Sequence, residues 1–386
     1  MSSKNGKSLN KDKIFEVQGK VWFGNKVFFS GDITERNKKE DHAQKAFFEK
    51  AWKEAKIEKI ESLSLLFQKY IPVIEAKIIE IKGQLKKGKT WFSLENESIG
   101  GDTKKMFLNK IIEESKHKKI FNEKVREFSN MLIDRIKKQK EDLRNKSKED
   151  QKNTNLGYKI ILDNYNLKTS SRLVVGLGAG HVFETSLTLH HIFGIPYIPA
   201  NALKGVVRMV SFWEIAESEN RKTEEEIIDD LQKQLYESEI SEDDSENILK
   251  HKLLFGTQKF KGLLIFLDAY PEIRENQDIF DLDVMTPHYQ GYYTQNKPPG
   301  DWENPNPIVF LTVKKGINFC FNILFDEFRA KEILNDNSFP QKAKEILQRW
   351  VNNSSCLTNI VEKWIKIALK EFGVGAKTRL GYGIFE

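Results

Sequence analysis

Cysteine is nearly absent from the sequence. Cys320 and Cys356 are the only two in 386 residues, and neither belongs to a CxxC or CxxH pair. A disulfide-stabilised scaffold and a cysteine-based zinc site are therefore both excluded. No histidine pair with HxH or HxxxH spacing is joined by an acidic third ligand, so we expect no metal and no cofactor.

Long apolar runs are also missing. No stretch reaches the roughly 18 apolar residues of a membrane span, and the N-terminal MSSKNGK lacks an apolar signal core. We therefore expect a soluble cytoplasmic protein with no membrane contact. The apolar fraction is nevertheless 39%, with 26 Phe, which is enough for a folded core and excludes a wholly disordered chain.

Charge is distributed unevenly along the chain. Residues 1–150 carry 35 Lys and Arg against 24 Asp and Glu, a net charge of +11, whereas the overall net charge is +6. The acidic excess is concentrated in residues 217–246, which hold 13 acidic and 3 basic residues. A basic surface of this kind is typical of a partner of nucleic acid, although solubility alone also accounts for it.

The hydrophobic pattern divides the chain into three parts. Residues 1–42 are predicted to form an N-terminal hairpin and extension, because residues 14–30 alternate apolar and polar side chains. Residues 43–155 are predicted to be a Lys-rich helical module and linker. Its helical stripe consists of Phe121, Val125, Phe128, Leu132 and Ile136.

Residues 156–386 have a mixed pattern that predicts an α+β fold. The order of strand, helix, strand, strand, helix, strand is that of the ferredoxin-like (RRM-like) arrangement. The predicted elements are a helix over 202–216 capped by Asn201, a central strand at 263–267, a hairpin of 308–313 with 317–324, a helix ending at Gly373 and a final strand at 384–385. Many functions use this fold, so function must come from the motifs.

The first motif is a glycine-rich turn, GLGAGHVFET, that follows a short predicted strand. Gly178 and its neighbours free the backbone for close approach to a ligand, and His181 lies at the end of the turn. The spacing does not match GxGxxG, so a dinucleotide site is not indicated. A wide hairpin loop without a ligand also accounts for the pattern.

The second motif lies at the start of the predicted helix over 202–216. Lys204 falls in its first turn and Arg208 one turn later, on the same face. The free N–H groups and the positive dipole end of a helix attract an anion, and the two cations add to that charge. A phosphate is the expected ligand, whereas an ordinary solvated face is the alternative.

The third motif is the C-terminal GVGAKTRLGYG of residues 373–383. It is not a Walker loop, because Ala376 stands before Lys377 where that motif requires glycine. Flexible backbone donors beside point charges nevertheless suit a phosphate chain. We predict that Gly373, Gly375, Lys377 and Arg379 contact RNA phosphates.

The fourth motif is a loop crowded with aromatic residues between 281 and 302. Stacking of an unpaired base on such a ring contributes about 1–3 kcal/mol. The candidate stacking residues are His288, Tyr289, Tyr293 and Trp302. A Pro-rich loop whose rings pack on their own domain is an equally good interpretation.

These motifs together resemble the RAMP superfamily of CRISPR proteins. The resemblance covers residues 156–386 and includes IPYIPANALKG, GVGAKTRLGYG and DVMTPHY with the later DWENPNPI. Within the superfamily the chain is similar to the sixth-subunit family of the type III-B (Cmr) effector complex. The usual PGSSLKG departs here, because Ala200, Asn201 and Ala202 stand in it, while Lys204-Gly205 is retained.

The resemblance implies an RRM-like RAMP domain in an antiviral ribonucleoprotein. The expected partners are guide CRISPR RNA, target RNA and other RAMP subunits of the Cmr complex. Together they would form a hetero-oligomer, with this chain near the 3′ end of the guide. The repeating backbone subunit of such complexes cleaves target RNA with a loop aspartate. The turn at 176–181 has none, so we expect no catalytic residue in this chain, although Asp163 precedes the turn.

Two other functions fit the sequence. A metal-independent endoribonuclease of the RAMP class would use His181 or His190 as a general base near a ribose 2′-hydroxyl. A protein–protein adaptor would use the helical module and keep its partner after nuclease treatment and in high salt.

Overall fold

The computed structural model describes a set of segments with gaps between them. They are residues 14–23, 26–36, 50, 72–82, 85–90, 108, 115–149, 157–179, 185–218, 225–300, 302–303 and 305–386. His181 and residues 24–25, the turn of the predicted hairpin, lie outside the described residues.

The N-terminal region forms an antiparallel sheet. Its strands are β1 (Ile14–Phe23), β2 (Lys26–Arg36), β3 (Pro72–Lys82) and β4 (Leu85–Thr90), in the order β2-β1-β3-β4. The predicted hairpin is confirmed by the pairing of β1 with β2. The prediction that 43–155 is helical throughout is wrong for β3 and β4, because the Val- and Ile-rich PVIEAKIIEIK favours a strand and pairs with β1.

One long helix follows, α1 (Ser115–Glu149). The predicted stripe is confirmed on its described part: Val125 is buried, and Phe128, Leu132 and Ile136 pack against the main core. The Ser129 hydroxyl donates a hydrogen bond to the backbone carbonyl of Pro271 in the main sheet. This helix therefore belongs to the packed core of the C-terminal part.

The main sheet is antiparallel and is centred on β10 (Asn318–Asp326). β5 (Tyr158–Lys168) lies on one side of it, and β6 (Leu264–Phe266) and β7 (Tyr270–Glu272) lie on the other. Beyond β5, Phe385 forms a bridge with Thr169, which confirms the final strand-like segment. The apolar run at 263–267 was predicted to be central. It lies at the edge of the described sheet, because β10 pairs on both sides and takes the middle.

Helices cover both faces of this sheet. Phe325 of β10 packs against Trp350, whereas Asn322, on the opposite face, bonds Lys140 of α1. The remaining helices are α2 (Ala200–Ser218), α3 (Glu225–Tyr236), α4 (Glu246–Phe255), α5 (Gln290–Gln295), α6 (Glu327–Asn335), α7 (Gln341–Asn352) and α8 (Ser354–Ile367), with a π-helical turn over Ala368–Phe372.

Most predicted helix boundaries are confirmed. Gly373 ends the last helical turn with a φ of 75°, and α2 spans the helix predicted over 202–216. The start of α2 differs, since the Ala200 N–H donates to Asp268 Oδ1 at 2.7 Å, so Asp268 caps the helix in place of Asn201. Asp268 is distant in sequence, and the local pattern around Asn201 could not reveal it.

A second correction concerns the hairpin predicted around residues 314–316. β9 (Ile308–Val313) pairs antiparallel with β8 (Phe280–Met285), and the two form a separate two-stranded sheet. The chain turns away at Gly316, whose N–H donates to the Thr169 carbonyl at 2.8 Å. The turn residues were read correctly, but the backbone partners of each strand come from elsewhere in the fold.

The acidic segment 217–246 combines helix and loop. It holds the end of α2, all of α3, the loop 237–245 and the first residue of α4, and residues 219–224 lie outside the described part. The fully buried Lys252 forms an ion pair with Asp244 at 2.8 Å and donates to the Ser238 hydroxyl at 2.8 Å. This buried cation holds the loop between α3 and α4 against the core.

Candidate nucleic-acid interface

Three of the sequence motifs meet along one open groove of about 970 Å³. Its lining comes from the glycine-rich turn, from one face of α2 and from the C-terminal loop. The lining residues are Gly176, Leu177, Gly178, Asn201, Ala202, Gly205, Val206, Met209, Trp213, Glu371, Phe372, Gly373, Val374, Gly375, Ala376, Thr378 and Arg379. We call it the glycine groove.

The C-terminal loop packs closely against the strand-like segment 172–175. Gly375 has a φ of 100°, and a Cβ there would lie 2.4 Å from the Val174 carbonyl oxygen. The neighbouring Ala376 N–H donates to that same oxygen at 2.8 Å. Gly383 is constrained in the same way by Val374. The fold itself thus requires these glycines, so their presence alone does not indicate a ligand.

Two other glycines present open backbone to the groove. A Cβ added at Gly178 or at Gly205 would meet nothing within 4 Å. Neither has a positive φ, so neither is fixed as glycine by backbone conformation or by packing. Their bare surface leaves room for a chain to approach the backbone closely.

The C-terminal cations face different surroundings. Arg379 is exposed, lines the glycine groove and forms no ion pair with any described residue. Lys377 has a φ of 60°, and its Nζ lies 5.6 Å from the centre of the Phe310 ring on β9. Of the two, only Arg379 is directed into the groove.

Lys204 and Arg208 lie on another face of α2. Arg208 lines a second cavity of about 560 Å³ between α2, α3 and α4, which we call the helical pocket. Burial lowers the pKa of both side chains, and repulsion by the Arg208 charge lowers the pKa of Lys204 further. The four predicted cations therefore do not form one cradle. Arg379 lines the glycine groove, Arg208 lines the helical pocket, Lys377 lies over Phe310 of β9, and Lys204 lines neither cavity.

The glycine groove and the helical pocket share a wall. Gly205, Met209 and Trp213 line both cavities. These three residues stand four apart on α2 and so occupy one stripe of the helix. Sequence reasoning missed Trp213 and Phe372, although the spacing of Gly205, Met209 and Trp213 could have indicated the first.

The end of the β8–β9 pair that carries Asp281 and Asp283, which we call its root, is bonded to the C-terminal loop. Arg172 forms ion pairs with Asp281 at 2.9 Å and with Asp283 at 3.3 Å. The Tyr382 hydroxyl donates to Asp283, and burial together with this carboxylate raises the pKa of Tyr382 to about 12. These contacts orient the strand pair relative to the glycine groove.

The predicted stacking residues lie at the other end of β8–β9. Tyr293 and Trp302 are 76% and 79% exposed, so most of each ring faces solvent. The His288 ring lies 6.0 Å from that of Tyr289, which has a φ of 66°. These four side chains do not line the glycine groove. Some of their contacts are with their own loop, as the alternative interpretation expects, because the Trp302 ring lies against Gly300 and the His288 ring lies beside Tyr289.

Residues named for the catalytic alternative are held in structural contacts. His190 Nδ1 accepts the Ile192 and Phe193 N–H groups at 3.3 and 3.4 Å, and its ring stacks on Phe193 at 4.9 Å. Burial lowers its pKa, which keeps the ring neutral. Asp163 is ion-paired with Lys140 at 2.5 Å.

Within the described segments, no helix combines the length and apolar character needed to cross a bilayer.

Comparisons with known proteins point in one direction. The chain is 35% identical over 249 residues to the CRISPR system Cmr subunit Cmr6 of Pyrococcus furiosus, covering 56% of this chain and 65% of that protein. It is 25% identical over 234 residues to the Cmr6 of Saccharolobus solfataricus, covering 60% and 59%. The chain thus spans less than two thirds of the length of either relative.

A cryo-EM structure of the type III-B Cmr-beta complex bound to cognate target RNA contains a similar chain. It is 22% identical, with a TM-score of 0.40, and the match covers 76% of this chain and 77% of that one. The RAMP superfamily matches residues 166–386, more than half of the sequence. The resemblance drawn from the glycine-rich motifs is confirmed, and the chain belongs to the RAMP superfamily.

Proposed function

We propose that this protein is a non-catalytic, guide-RNA-binding structural subunit of a type III-B CRISPR (Cmr) ribonucleoprotein that acts in antiviral defence. It clamps single-stranded guide RNA near its 3′ end and packs against neighbouring RAMP subunits, while target RNA is cleaved elsewhere in the complex. Its main sheet is the ferredoxin-like core of this subunit, and the similarity to two Cmr6 proteins supports the assignment.

One observation carries this proposal: three motifs far apart in sequence converge on the glycine groove. Gly178 and Gly205 leave the backbone bare, so a ribose-phosphate chain reaches it without steric hindrance. Arg379 supplies an unpaired guanidinium at the groove, and Asn201 and Thr378 supply neutral polar groups. Phosphate contacts of this kind bind RNA without reading its sequence.

The β8–β9 pair serves the same RNA in a different way. Its exposed aromatic end presents Tyr293 and Trp302 to solvent, where unpaired bases can stack on them. Its root is fixed through Asp283 and Tyr382 to the loop that forms the groove. The stacking rings and the phosphate groove thereby keep a constant separation along one RNA strand.

The contacts of His190 and of α1 bear on the two alternatives. His190 Nδ1 already accepts backbone N–H groups and its ring is stacked on Phe193, so only its Nε2 could serve as a general base. For the adaptor alternative, the apolar stripe of α1 is already used against the chain's own core. The RNA-binding proposal does not require groups that are already used in the packing of the chain itself.

Binding of a fluorescein-labelled single-stranded oligouridine, followed by fluorescence anisotropy at several salt concentrations, tests the proposal. Arg379→Ala should weaken binding and reduce the salt slope by about 0.7, the value for one phosphate contact on a single strand. Arg274→Ala is the matched control, because Arg274 is also exposed but does not line the groove.

Gly178→Leu provides a second variant that adds bulk to the groove without disturbing the packing. It should weaken binding at every salt concentration and leave the slope unchanged. If both variants bind RNA as the Arg274→Ala control does, the glycine groove is not the RNA site.

A further inference from the structure

The helical pocket contains an arginine, Arg208, whose guanidinium is held in place by two neighbouring rings. Arg208 Cζ lies 5.0 Å above the ring of Tyr236, and Arg208 Nε donates to Nε2 of His251 at 3.4 Å. The guanidinium plane is thus fixed on one side by an aromatic face and at Nε by an imidazole. No described residue accepts a hydrogen bond from its two terminal NH₂ groups, and Arg208 lines the cavity.

His251 is suited to hold this arginine because it is neutral. The ring is almost fully buried, and burial lowers its pKa to about 3. Since Nε2 accepts from Arg208, the ring proton is on Nδ1, which donates to the Ser211 hydroxyl at 3.0 Å. The histidine therefore orients Arg208 without neutralising its charge.

Arg208 has no carboxylate partner in the described part of the chain. The guanidinium is partly buried, so its desolvation is not offset by an ion pair. An arginine in this condition offers two parallel N–H donors to a ligand with two acceptors at the matching separation. A ligand in the pocket can supply the acceptors that Arg208 lacks among the described residues.

Most other side chains that line the pocket are apolar or aromatic. Phe212, Trp213 and Tyr236 contribute rings, Met209 and Ile228 add apolar surface, and Gln232 provides an amide. The volume of about 560 Å³ lies within the range of small-molecule sites. A nucleobase fits this chemistry, because it combines stacking faces with hydrogen-bonding edges.

The surroundings favour a base over a phosphate chain. α3 carries Asp229 and Asp230, both exposed, beside the pocket residues Ile228 and Gln232. A phosphodiester strand running over this acidic helix would be repelled, whereas a single neutral base entering the pocket would not. The shared wall of Gly205, Met209 and Trp213 places the opening next to the glycine groove.

We propose that the helical pocket takes one unstacked base from RNA lying along the glycine groove, and that Arg208 selects guanine. This rests on the proposed function, since the groove must hold the strand. Guanine presents O6 and N7 as two adjacent acceptors that match the arginine fork, whereas adenine has a donor in place of O6. Trp213 stacks on the base, Tyr236 holds the guanidinium, and Arg208 is a specificity-determining residue.

The test compares labelled oligouridines that carry one central guanosine or one central adenosine, bound to the full chain. The wild type should prefer the guanosine strand by on the order of tenfold. Arg208→Lys keeps the charge but removes the planar fork, so it should reduce the preference while still binding both strands. Arg379→Ala should weaken both strands equally and preserve their ratio. Equal binding of the two strands by the wild type, or an unchanged preference in Arg208→Lys, overturns the proposal.

A second arm uses guanosine and adenosine 5′-monophosphate in isothermal titration calorimetry. Binding of the guanine nucleotide alone, weakened in Arg208→Lys, supports the pocket even if no oligouridine binds and the groove fails. Equal binding of both nucleotides indicates a phosphate site and overturns the base assignment. Loss of a neighbouring subunit in Arg208→Lys without any change in RNA preference would make the pocket a protein-docking site and also overturn it. Thermal unfolding of Arg208→Lys verifies that the variant is folded.

Discussion

Lys140 Nζ of α1 lies 2.5 Å from Asp163 Oδ1 of β5, with only 4% of the lysine side chain exposed. The same ammonium donates to Asn164 Oδ1 at 2.8 Å and to Asn322 Oδ1 at 2.6 Å. A helix from the predicted N-terminal module is thereby bonded to two strands of the main sheet. This face of the sheet is covered by the chain's own helix, so it is closed to the kind of RNA contact that an open sheet face allows.

Lys140→Met should destabilise the protein by about 1–3 kcal/mol, because it removes the donor that satisfies three oxygens at the sheet face. Urea unfolding measures the change. Lys137→Met is the matched control on the same helix. Lys137 is 44% exposed and its ion pair with Asp134 is long, at 3.7 Å, so its loss should change the stability little. Equal stability of the two variants would mean that α1 is held by its apolar stripe alone.

Gly375→Ala should destabilise the fold, whereas Gly178→Ala should not. A Cβ at residue 375 would lie 2.4 Å from the Val174 carbonyl oxygen at a φ of 100°, and one at residue 178 would meet nothing within 4 Å. We expect the first variant to lose roughly 1–3 kcal/mol and the second to unfold as the wild type does, both measured by thermal denaturation. A stable Gly375→Ala would show that the loop does not need its close approach to Val174.

Removing His251 should change how stability depends on pH. The folded-state pKa of about 3 lies below the ordinary 6.5, so the unfolded chain binds a proton that the folded chain excludes. The stability from neutral His251 is complete above pH 6.5 and is lost as the pH falls towards 3, by up to about 1.4 kcal/mol per pH unit.

His251→Gln has no such titration, so the wild-type protein should lose stability relative to this variant as the pH is lowered from 7 to 4. Chemical unfolding at a series of pH values measures the difference, and all other titrating groups are common to both proteins. A difference that stays constant with pH would show that His251 is not held neutral by burial.

Trp302→Ala and Tyr293→Ala should weaken RNA binding without affecting stability. Both rings are mostly exposed, so little buried surface is lost, whereas each lost base stack costs about 1–3 kcal/mol of binding free energy. Tyr158→Ala is the control, because Tyr158 is 46% exposed and lies on β5, away from the β8–β9 pair. If both variants bind RNA as tightly as Tyr158→Ala does, the two rings do not stack on RNA and are available for contact with a neighbouring subunit.

Local pattern predicted elements better than it predicted their partners. The stripe of α1, the helix of α2 and the end at Gly373 depend on periodicity and glycine chemistry, and the structure has all three. The run 308–313 was correctly a strand but was assigned to the wrong neighbour, because a turn signal at 314–316 does not fix which edge a strand joins. β3 and β4 were missed because the surrounding Lys- and Glu-rich sequence masked a Val- and Ile-rich strand.

The sequence by itself determined the family, since its glycine, lysine and aromatic motifs lie within contiguous segments and need no folding to be recognised. It also determined which residues carry charge and which are free of a side chain. Only the tertiary structure decided how those residues are grouped. Arg379 reached the glycine groove and Arg208 the helical pocket, because the direction of a side chain depends on the packing of its helix or loop against segments distant in sequence.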